Sequence, residues 1–391
     1  MKLKIETDQK LKKSDQKESK NEKKTRNEKT TAQKAQAGNT KEQSVLKNEK
    51  KSFKSKISDK AVSQFRQDPV TGDWVIIATG RAKRPEQFIS KKKKEELKVD
   101  KADCPFDGDN LKKQRPDTLV YYRENGEWSL KVFPNLYPAV TRSKDLKHSQ
   151  QGMYFLMDGV GYHEVIVTKD HDRGVPFLIK EEVAEVLDAF KTRYLELMNR
   201  KSVSYILFIE NHGKESGASL IHPHWQMFAI PFVSSAIKLE LEGSRIYKNN
   251  NDNCVYCDMI KQEIKDKKRI VASSDNFIAF TPFASRSAFE VWILPKKHQP
   301  YFERMTENDE FEAASVLKKV IEKYYWNLND VSYNMYIHTS PCDGRDYSYY
   351  HWHIELLPKT AVWAGFELGT GIEISTIEPE KAAEFLRKKN N

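Results

Sequence analysis

The chain has 391 residues, with 66 basic and 56 acidic side chains and a formal net charge of +10. This length suffices for a two-domain enzyme or one large duplicated domain with a sizeable core, which excludes a single small module. The sequence contains no run of 18 or more apolar residues and none of the apolar segment that a secretory signal needs, so we expect a cytoplasmic protein that does not enter a membrane.

The net positive charge lies entirely in the first 60 residues. They hold 19 Lys and Arg against 9 Asp and Glu, whereas the remainder balances at 47 of each. With few apolar side chains, residues 1–60 cannot bury enough surface to offset the entropy of ordering, so their composition predicts a disordered basic tail. The neutral remainder does not indicate a nucleic-acid-binding body. The tail is either a solvated segment or a weak, salt-sensitive contact for polyanions.

Ordered structure is predicted from about residue 61. Residues 65–88 bring aromatic and β-branched side chains around a Thr71-Gly72-Asp73 turn signal, which predicts two short strands and a basic loop. Apolar patterning predicts further strands at 118–123, 128–133, 163–168, 203–210, 226–230, 277–280, 289–294, 331–338 and 351–357. Apolar spacing predicts helices at 180–199, 309–326 and 379–389. Strands and helices alternate loosely in an antiparallel manner, so the predicted fold class is α+β.

Two sets of residues have the composition and spacing of metal ligands. Two thiolates three residues apart bind one tetrahedral Zn²⁺, and two histidines can complete such a site. The second half of the chain offers Cys254, Cys257, His298 and His351, and the first half offers Cys104, Asp107, His171 and His222. A carboxylate replaces one thiolate in the first set, so we expect weaker and more exchangeable binding there.

Other interpretations of the first set remain open. Cys104 can be buried for packing while Asp107 caps a turn, and His163 can replace His171 as a ligand. Cys342 has the features of an ordinary unpaired thiol. Four cysteines in a chain of this length favour metal ligation in a reducing compartment over a disulfide framework.

The densest motif is NHGKESGASLIHPHWQMFAIP at residues 211–231, which follows an apolar strand. Alternate side chains of a strand share a face, so His222, His224 and Gln226 are predicted to point the same way. Phosphoryl-group transfer needs such a set, because one imidazole can act as an uncharged nucleophile while a donor stabilises the phosphoryl oxygens. Taken alone, the motif is equally compatible with an exposed turn or edge strand that has no such role.

A second His-x-His strand, HWHIELLP, begins at His351 and has Glu355 where the first has its glutamine. Glutamate is a poorer partner for anionic phosphate, so we expect this copy to be structural, with Glu355 in a hydrogen bond or salt bridge. Each half has a cysteine, a histidine, a helix and a His-x-His strand in that order, which indicates a tandem duplication. The predicted domains are therefore the tail at 1–60, a catalytic module at 61–235 and a second module at 236–391.

At these motifs the chain resembles the galactose-1-phosphate uridylyltransferases and the related nucleoside-diphosphate-sugar phosphorylases, which are two-module members of the histidine-triad superfamily. The resemblance runs from about Phe65 to the end of the chain. Besides residues 211–226, the matching segments are RAKRP, CPFDGD, NLYPA, GYHEVIVTKDH, CVYC, PKKH, HTSP, HWHIELLP and GFELGTG.

The resemblance implies a fold and a set of site residues. The fold is two tandem histidine-triad-like modules, each an antiparallel sheet flanked by helices, usually in a homodimer. His224 would be the nucleophile, Gln226 would hold the phosphoryl oxygens and His222 would bind zinc. Nucleotide-contacting positions would be Arg81, Arg84, Asn135, Asn211 and Ser219. The hexose phosphate would be received near Phe366, Glu367 and Gly369, a segment that in this family can come from a partner subunit.

The implied activity is transfer of UMP between UDP-glucose and galactose 1-phosphate, or a similar hexose 1-phosphate, by a ping-pong mechanism through a nucleotidyl-histidine. This would place the enzyme in galactose metabolism. The alternative is a nucleoside-diphosphate-sugar phosphorylase, with inorganic phosphate as acceptor and ADP-glucose as a candidate donor. An alternative of another class is a non-catalytic zinc protein that binds nucleotides or RNA, against which the intact His222, His224 and Gln226 argue.

Overall fold

The computed structural model describes residues 62–78, 101–143 and 145–388. The predicted tail and basic loop, with Arg81 and Arg84, lie outside these residues. The strands are β1 (Gln64–Gln67), β2 (Trp74–Ile77), β3 (Leu119–Tyr122), β4 (Trp128–Pro134), β5 (His148–Gln151), β6 (Tyr154–Met157), β7 (Tyr162–Thr168), β8 (Tyr205–His212), β9 (His224–Ile230), β10 (Ile270–Ser273), β11 (Phe277–Phe280), β12 (Val291–Pro295), β13 (Tyr333–His338), β14 (His353–Pro358) and β15 (Ile374–Ser375). The helices are α1 (Gly108–Leu111), α2 (Lys180–Leu197), α3 (Ser235–Asn251), α4 (Val255–Asp266), α5 (Glu307–Asn327), α6 (Gly365–Thr370) and α7 (Pro379–Arg387).

Ten strands of the described residues form one antiparallel sheet in the order β10-β11-β12-β14-β13-β8-β9-β7-β4-β3. Each half of the chain contributes five strands. When the strands of a half are counted in chain order, the third pairs with the fifth and the fifth pairs with the fourth, as in β7-β9-β8 and β12-β14-β13. In both halves a long helix, α2 or α5, connects the third strand to the fourth. This equivalence is what a tandem duplication predicts, and the α+β class with an antiparallel sheet flanked by helices is confirmed.

The two halves meet where β8 pairs with β13, from Tyr333 opposite His212 to Ile337 opposite Phe208. The two predicted modules therefore share one continuous sheet, and their boundary at residue 235 stays a prediction. β1 and β2 form the predicted hairpin, and β15 extends it as a parallel third strand.

The main core lies between the sheet and helices α2 and α5. Helix α5 begins at a capping box in which Thr306 and Asp309 satisfy each other's backbone N–H groups. Its buried residues recur every three or four positions, as at Ala313, Leu317 and Val320, and thus form one apolar stripe against the sheet.

Strand β9 has one face in this core and one face away from it. Trp225 and Met227 are buried in the cluster that includes α2 and α5, whereas His224, Gln226 and Phe228 alternate with them and are only partly buried. Because strand side chains alternate, the two polar residues must lie on the sheet face opposite those helices.

Several elements were not predicted from the sequence, among them α3, α4 and the hairpin β5–β6. Helix α3 starts where the N–H of Ile237 donates to the hydroxyl of Ser234 at 3.4 Å. Both strands of the hairpin are exposed along their whole length, so they lack the apolar alternation that reveals a half-buried strand. Among the described helices, none combines the length and apolarity needed to cross a membrane.

Candidate active site

His224 is the first residue of β9, and its ring is held in one tautomer. The Nδ1–H donates to the carbonyl of His222 at 2.9 Å. Nε2 is therefore the unprotonated nitrogen with an available lone pair. Burial lowers the pKa of His224 below its ordinary value, which favours the neutral ring. This arrangement places an uncharged imidazole nitrogen with an available lone pair at the start of the strand.

Gln226 follows on the same face, where His163 of β7 contacts it. The distance between His163 Nε2 and Gln226 Oε1 is 2.9 Å, and Asn135 Nδ2 lies 3.1 Å from the same ring nitrogen. His163 is thus beside the glutamine, away from the four candidate ligands of the first half. The alternative in which His163 replaces His171 as a ligand is wrong in this geometry, since the structure brings His171 to the ligand set instead.

The four candidate ligands of the first half converge. One donor atom from each of Cys104, Asp107, His171 and His222 lies within 4.8 Å of the others. His222 Nδ1 is 3.6 Å from Cys104 Sγ and 3.2 Å from Asp107 Oδ2, and His171 Nδ1 also contacts that carboxylate. Asp107 stands at the N-cap of α1 but makes no side-chain cap hydrogen bond. Its carboxylate faces the histidines, contrary to the turn-capping alternative.

The candidate ligands of the second half also converge. Cys254, Cys257, His298 and His351 place their donor atoms within 4.8 Å of one another. Cys257 Sγ is 3.5 Å from His298 Nδ1 and 3.6 Å from His351 Nδ1. Cys254 is the N-cap of α4, and Cys257 lies in the first turn of this helix. The cluster therefore joins α4 to the end of β12 and the start of β14.

Three of the four histidines in the two clusters are oriented as metal ligands. The Nε2–H of His222 donates to the carbonyl of Thr168 at 2.8 Å, that of His351 to Pro295 at 2.9 Å and that of His298 to Ser348 at 2.7 Å. Each ring thus turns an unprotonated Nδ1 into its cluster, the orientation that second-shell carbonyls impose on metal-binding histidines. Both sets of residues fit a tetrahedral Zn²⁺.

The end of β8 and the loop after it carry two of the predicted nucleotide contacts. Asn211 is the second-last residue of the strand, and Ser219 is exposed in the loop. Asn334 of β13 donates from its amide nitrogen to Asn211 Oδ1 at 2.6 Å and to the carbonyl of Ser216 at 2.9 Å. Gly213 has φ +79°, and a Cβ there would come within 2.3 Å of Ser332 Oγ. The second half of the chain thus holds the loop in place.

The predicted sugar-phosphate positions lie on an exposed helix of the single chain. Phe366, Glu367 and Gly369 belong to helix α6, which has no buried residue. Within the described ranges, this helix makes no hydrogen bond or ring contact with β9. In the described residues of the single chain, these positions therefore have no direct contact with the His224 strand.

The second His-x-His strand forms a buried ionic cluster. Glu355 Oε2 accepts hydrogen bonds from Tyr336 at 2.7 Å and from Arg286, and Glu355 Oε1 accepts one from His353 at 3.2 Å. Glu240 of α3 and His338 extend the cluster, and their carboxylate and ring lie 3.0 Å apart. The expectation of a hydrogen bond or salt bridge at Glu355 agrees with these contacts.

Sequence reasoning missed several residues of this region. It assigned no role to Asn334, Glu240, His338 or Arg286, and it considered His163 only as a metal ligand. Glu240 and Arg286 lie outside the segments singled out by motif, so no sequence signal indicated them. Asn334 is the second residue of β13, and the pairing of β13 with β8 was needed to place it opposite Asn211.

Comparison with known protein families gives two adjacent matches. The N-terminal domain of galactose-1-phosphate uridyl transferase matches residues 51–234, and the C-terminal domain matches residues 240–389. Together they span most of the chain, including every candidate site residue named above.

The individual relatives are named for two different activities. An ADP-glucose phosphorylase of Arabidopsis thaliana is 32% identical over 330 residues, which cover 83% of this chain and 92% of that protein. A galactose-1-phosphate uridylyltransferase of Thermotoga maritima is 29% identical over 335 residues, which cover 83% of this chain and 98% of that protein. The crystal structure of the Arabidopsis thaliana ADP-glucose phosphorylase with bound ADP-glucose aligns with a TM-score of 0.71 and 28% identity, covering 84% of this chain and all of that one.

Proposed function

The chain belongs to the galactose-1-phosphate uridylyltransferase family of enzymes, and on that premise we propose that it transfers a nucleoside monophosphate from a nucleotide sugar to a second phosphate by way of His224. The observation that carries this proposal is the 2.9 Å hydrogen bond from His224 Nδ1–H to the carbonyl of His222. It leaves Nε2 free to attack and provides a partner for Nδ1–H when the ring becomes positively charged.

The proposed reaction has two displacements. In the first, the Nε2 lone pair forms a bond to the α-phosphorus, the bond from that phosphorus to the bridging oxygen breaks, and the sugar 1-phosphate leaves with the electron pair. In the second, a phosphate oxygen of the acceptor forms a bond to the same phosphorus, and the phosphorus–nitrogen bond breaks. The imidazole returns to its neutral form, so neither step needs another reagent.

Gln226 and Asn211 are suited to hold the phosphoryl oxygens. The amide oxygen of each faces a neighbouring protein group, His163 for Gln226 and Asn334 for Asn211. An amide whose oxygen is engaged in this way presents its NH₂ as a donor, and donors aimed at developing negative charge stabilise the transition state.

We propose Zn²⁺ at both Cys/His clusters, held by the two sets of four residues described above. Bound there, it would supply structural cross-links, one of them beside the His224 strand. We also propose that the chain forms a homodimer in which Phe366, Glu367 and Gly369 of one copy contact the sugar phosphate bound at His224 of the other. This proposal is supported by the exposure of α6, which has no buried residue and no hydrogen bond or ring contact with β9 in the described residues of a single chain.

Two acceptors are candidates. The first is galactose 1-phosphate, since relatives such as the Thermotoga maritima enzyme are named galactose-1-phosphate uridylyltransferases. For this acceptor we propose transfer of UMP from UDP-glucose. Phosphorolysis of ADP-glucose is favoured by the 32% identity to the Arabidopsis thaliana phosphorylase. Both reactions use the same intermediate on His224.

An exchange assay distinguishes the two. The protein would be incubated with UDP-glucose or ADP-glucose, each with galactose 1-phosphate or inorganic phosphate, and the products identified. Formation of UDP-galactose supports the first candidate, and release of ADP from ADP-glucose and phosphate supports the second. If no nucleotide sugar reacts with either acceptor, nucleotidyl transfer is wrong.

The nucleophile is tested by His224→Gly in the same assay. We expect turnover to fall by at least about 10⁴-fold, because the covalent route is lost, with an unchanged thermal midpoint. Added imidazole should restore part of the activity by filling the space of the missing ring. Turnover within tenfold of the wild-type rate would remove His224 from the mechanism.

A further inference from the structure

His163 has contacts that determine which of its two ring nitrogens carries the proton. The backbone N–H of Ala139 donates to His163 Nδ1 at 3.1 Å. Since a backbone N–H can only donate, Nδ1 must be the acceptor nitrogen. A neutral imidazole with an acceptor at Nδ1 carries its hydrogen on Nε2. Burial lowers the pKa of His163, which keeps the ring neutral near pH 7.

The ring is also fixed in position. It stacks on Phe228, the residue of β9 paired with it, with centroids 4.0 Å apart and an angle of 25° between the planes. The side chain is 7% exposed, so solvent does not compete strongly for its nitrogens. The hydrogen on Nε2 therefore points in one direction, toward Gln226 Oε1 at 2.9 Å.

A second amide close to the ring does not offer an alternative partner. Asn135 Oδ1 accepts the backbone N–H of Tyr137 at 2.8 Å, so its NH₂ group is the one that lies 3.1 Å from His163 Nε2. Two donors face each other there and form no hydrogen bond. Gln226 Oε1 is thus the acceptor for the imidazole N–H.

We infer that His163 is a positioning residue for nucleotidyl transfer, because its Nε2–H holds the oxygen of Gln226 and so turns the glutamine NH₂ toward the transferring phosphoryl group. The inference rests on the proposed function of His224 and Gln226. Two hydrogen bonds in series orient the amide: the Ala139 N–H fixes the tautomer of His163, and the His163 Nε2–H fixes the oxygen of Gln226. Within the described ranges, the Gln226 amide nitrogen makes no hydrogen bond to protein, which leaves it available to an anionic ligand.

The test compares His163→Phe, which keeps the stacking ring but has no N–H, with His163→Gln, whose amide can still donate to Gln226. Each is measured for kcat and KM with the nucleotide sugar identified in the exchange assay. Loss of one orienting hydrogen bond should lower kcat by about tenfold with a smaller change in KM. His163→Gln should return kcat to within about threefold of the wild-type value. Should His163→Phe not fold, His163→Leu serves in its place.

A double-mutant cycle with Gln226→Ala separates positioning from a general structural effect. If His163 acts through Gln226, adding His163→Phe to Gln226→Ala should change kcat by less than about twofold. A further tenfold loss in that background, or an unchanged kcat for His163→Phe alone, would overturn the inference. Failure of the proposed function is read separately, as the absence of nucleotide transfer by the wild-type enzyme.

Discussion

Trp225 lies between His224 and Gln226 in the sequence, but its side chain is on the opposite face of the sheet. Its side chain is 2% exposed, and its indole N–H donates to Glu210 Oε2 at 3.1 Å. Tyr333 donates to the other oxygen of Glu210 at 3.2 Å, and burial raises the pKa of Glu210 to about 7. This large residue in the His-x-His motif therefore fills the core and leaves the site face unchanged.

Gln226, the next residue after His224 on that face, should tolerate little change in charge if it holds the phosphoryl oxygens as proposed. Gln226→Glu keeps the shape and can still accept from His163, but it replaces an NH₂ donor by a carboxylate oxygen that repels phosphate. We expect kcat to fall by about 10²–10³-fold, the usual cost of one donor to developing charge. The measurement is the steady-state transfer rate beside a thermal unfolding curve.

The chain contains a natural counterpart to this substitution. Glu355 occupies the equivalent position in the second His-x-His strand, where Arg286 and Tyr336 engage its carboxylate. Among the described residues, no Arg or Lys is hydrogen-bonded to Gln226, so the described contacts offer the variant no such charge compensation. A Gln226→Glu enzyme within tenfold of the wild-type rate would contradict a donor role for the amide.

At the scale of elements, α3 depends on a close approach that only glycine permits. A Cβ on Gly243 would lie 1.7 Å from the carbonyl oxygen of Val70, in the turn between β1 and β2. Helix propensity alone favours Ala over Gly by about 0.5–1 kcal/mol, whereas steric overlap of this kind costs about 1–3 kcal/mol. The steric clash should therefore outweigh the gain in helix propensity, so that replacing Gly243 by Ala destabilises the protein.

We thus expect Gly243→Ala to lower the free energy of unfolding, measured by denaturant titration. Gly369→Ala in α6 is the matched control, because a Cβ there meets no atom within 4 Å. It should leave the stability unchanged or raise it slightly. A Gly243→Ala protein at least as stable as the wild type would mean that the turn moves away at little cost.

The Cys/His cluster of the second half should behave as a structural staple for α4, β12 and β14. Cys254→Ser is expected to remove about one Zn²⁺ per chain and to lower the thermal midpoint, because a thiolate ligand is lost. Cys342→Ser is the control, since Cys342 lies outside both clusters. Metal would be quantified by elemental analysis during stepwise chelation, in which the Asp107-containing cluster should lose its metal first. Full metal content in Cys254→Ser would make this site wrong.

The elements that sequence patterning predicted are those with a clear one-sided or continuous apolar pattern. β11 lies at the predicted residues 277–280, and α2 and α5 begin within two residues of their predicted starts. Helix α3 was missed because Gly243 interrupts its apolar spacing, and this residue is explained only by the contact with Val70. The apolar pattern of a sequence indicates which side chains are buried, but it does not indicate which distant segments contact one another.

The site residues divide in the same way. Motif spacing brought together both sets of candidate ligands and the pair His224 and Gln226. It could not separate His163 from His171 as a ligand, since both follow Cys104 at plausible distances. The strand register supplies what spacing lacks, because it pairs His163 of β7 with Phe228 of β9, beside Gln226, whereas His171 lies with the other candidate ligands.

At the scale of the whole molecule, the charge distribution predicts that the first 60 residues act independently of catalysis. Deleting residues 1–60 should leave the transfer rate, substrate preference and thermal midpoint nearly unchanged, because the net +10 lies in them and the remainder is neutral. Retention on heparin at low salt should vanish with the deletion. In the full chain it should fall steeply as salt rises, since counterion release drives such binding. Loss of most transfer activity on deletion would contradict the prediction.

The pairing of β8 with β13 has a consequence for any attempt to divide the protein. Either half alone would expose a strand whose unsatisfied N–H and C=O groups form a template for another chain. A fragment that ends before α3 would expose the edge of β8, and we expect it to self-associate or aggregate through this edge. Two fragments produced together, in contrast, have complementary edges, and we expect them to associate by pairing β8 with β13 without a covalent connection.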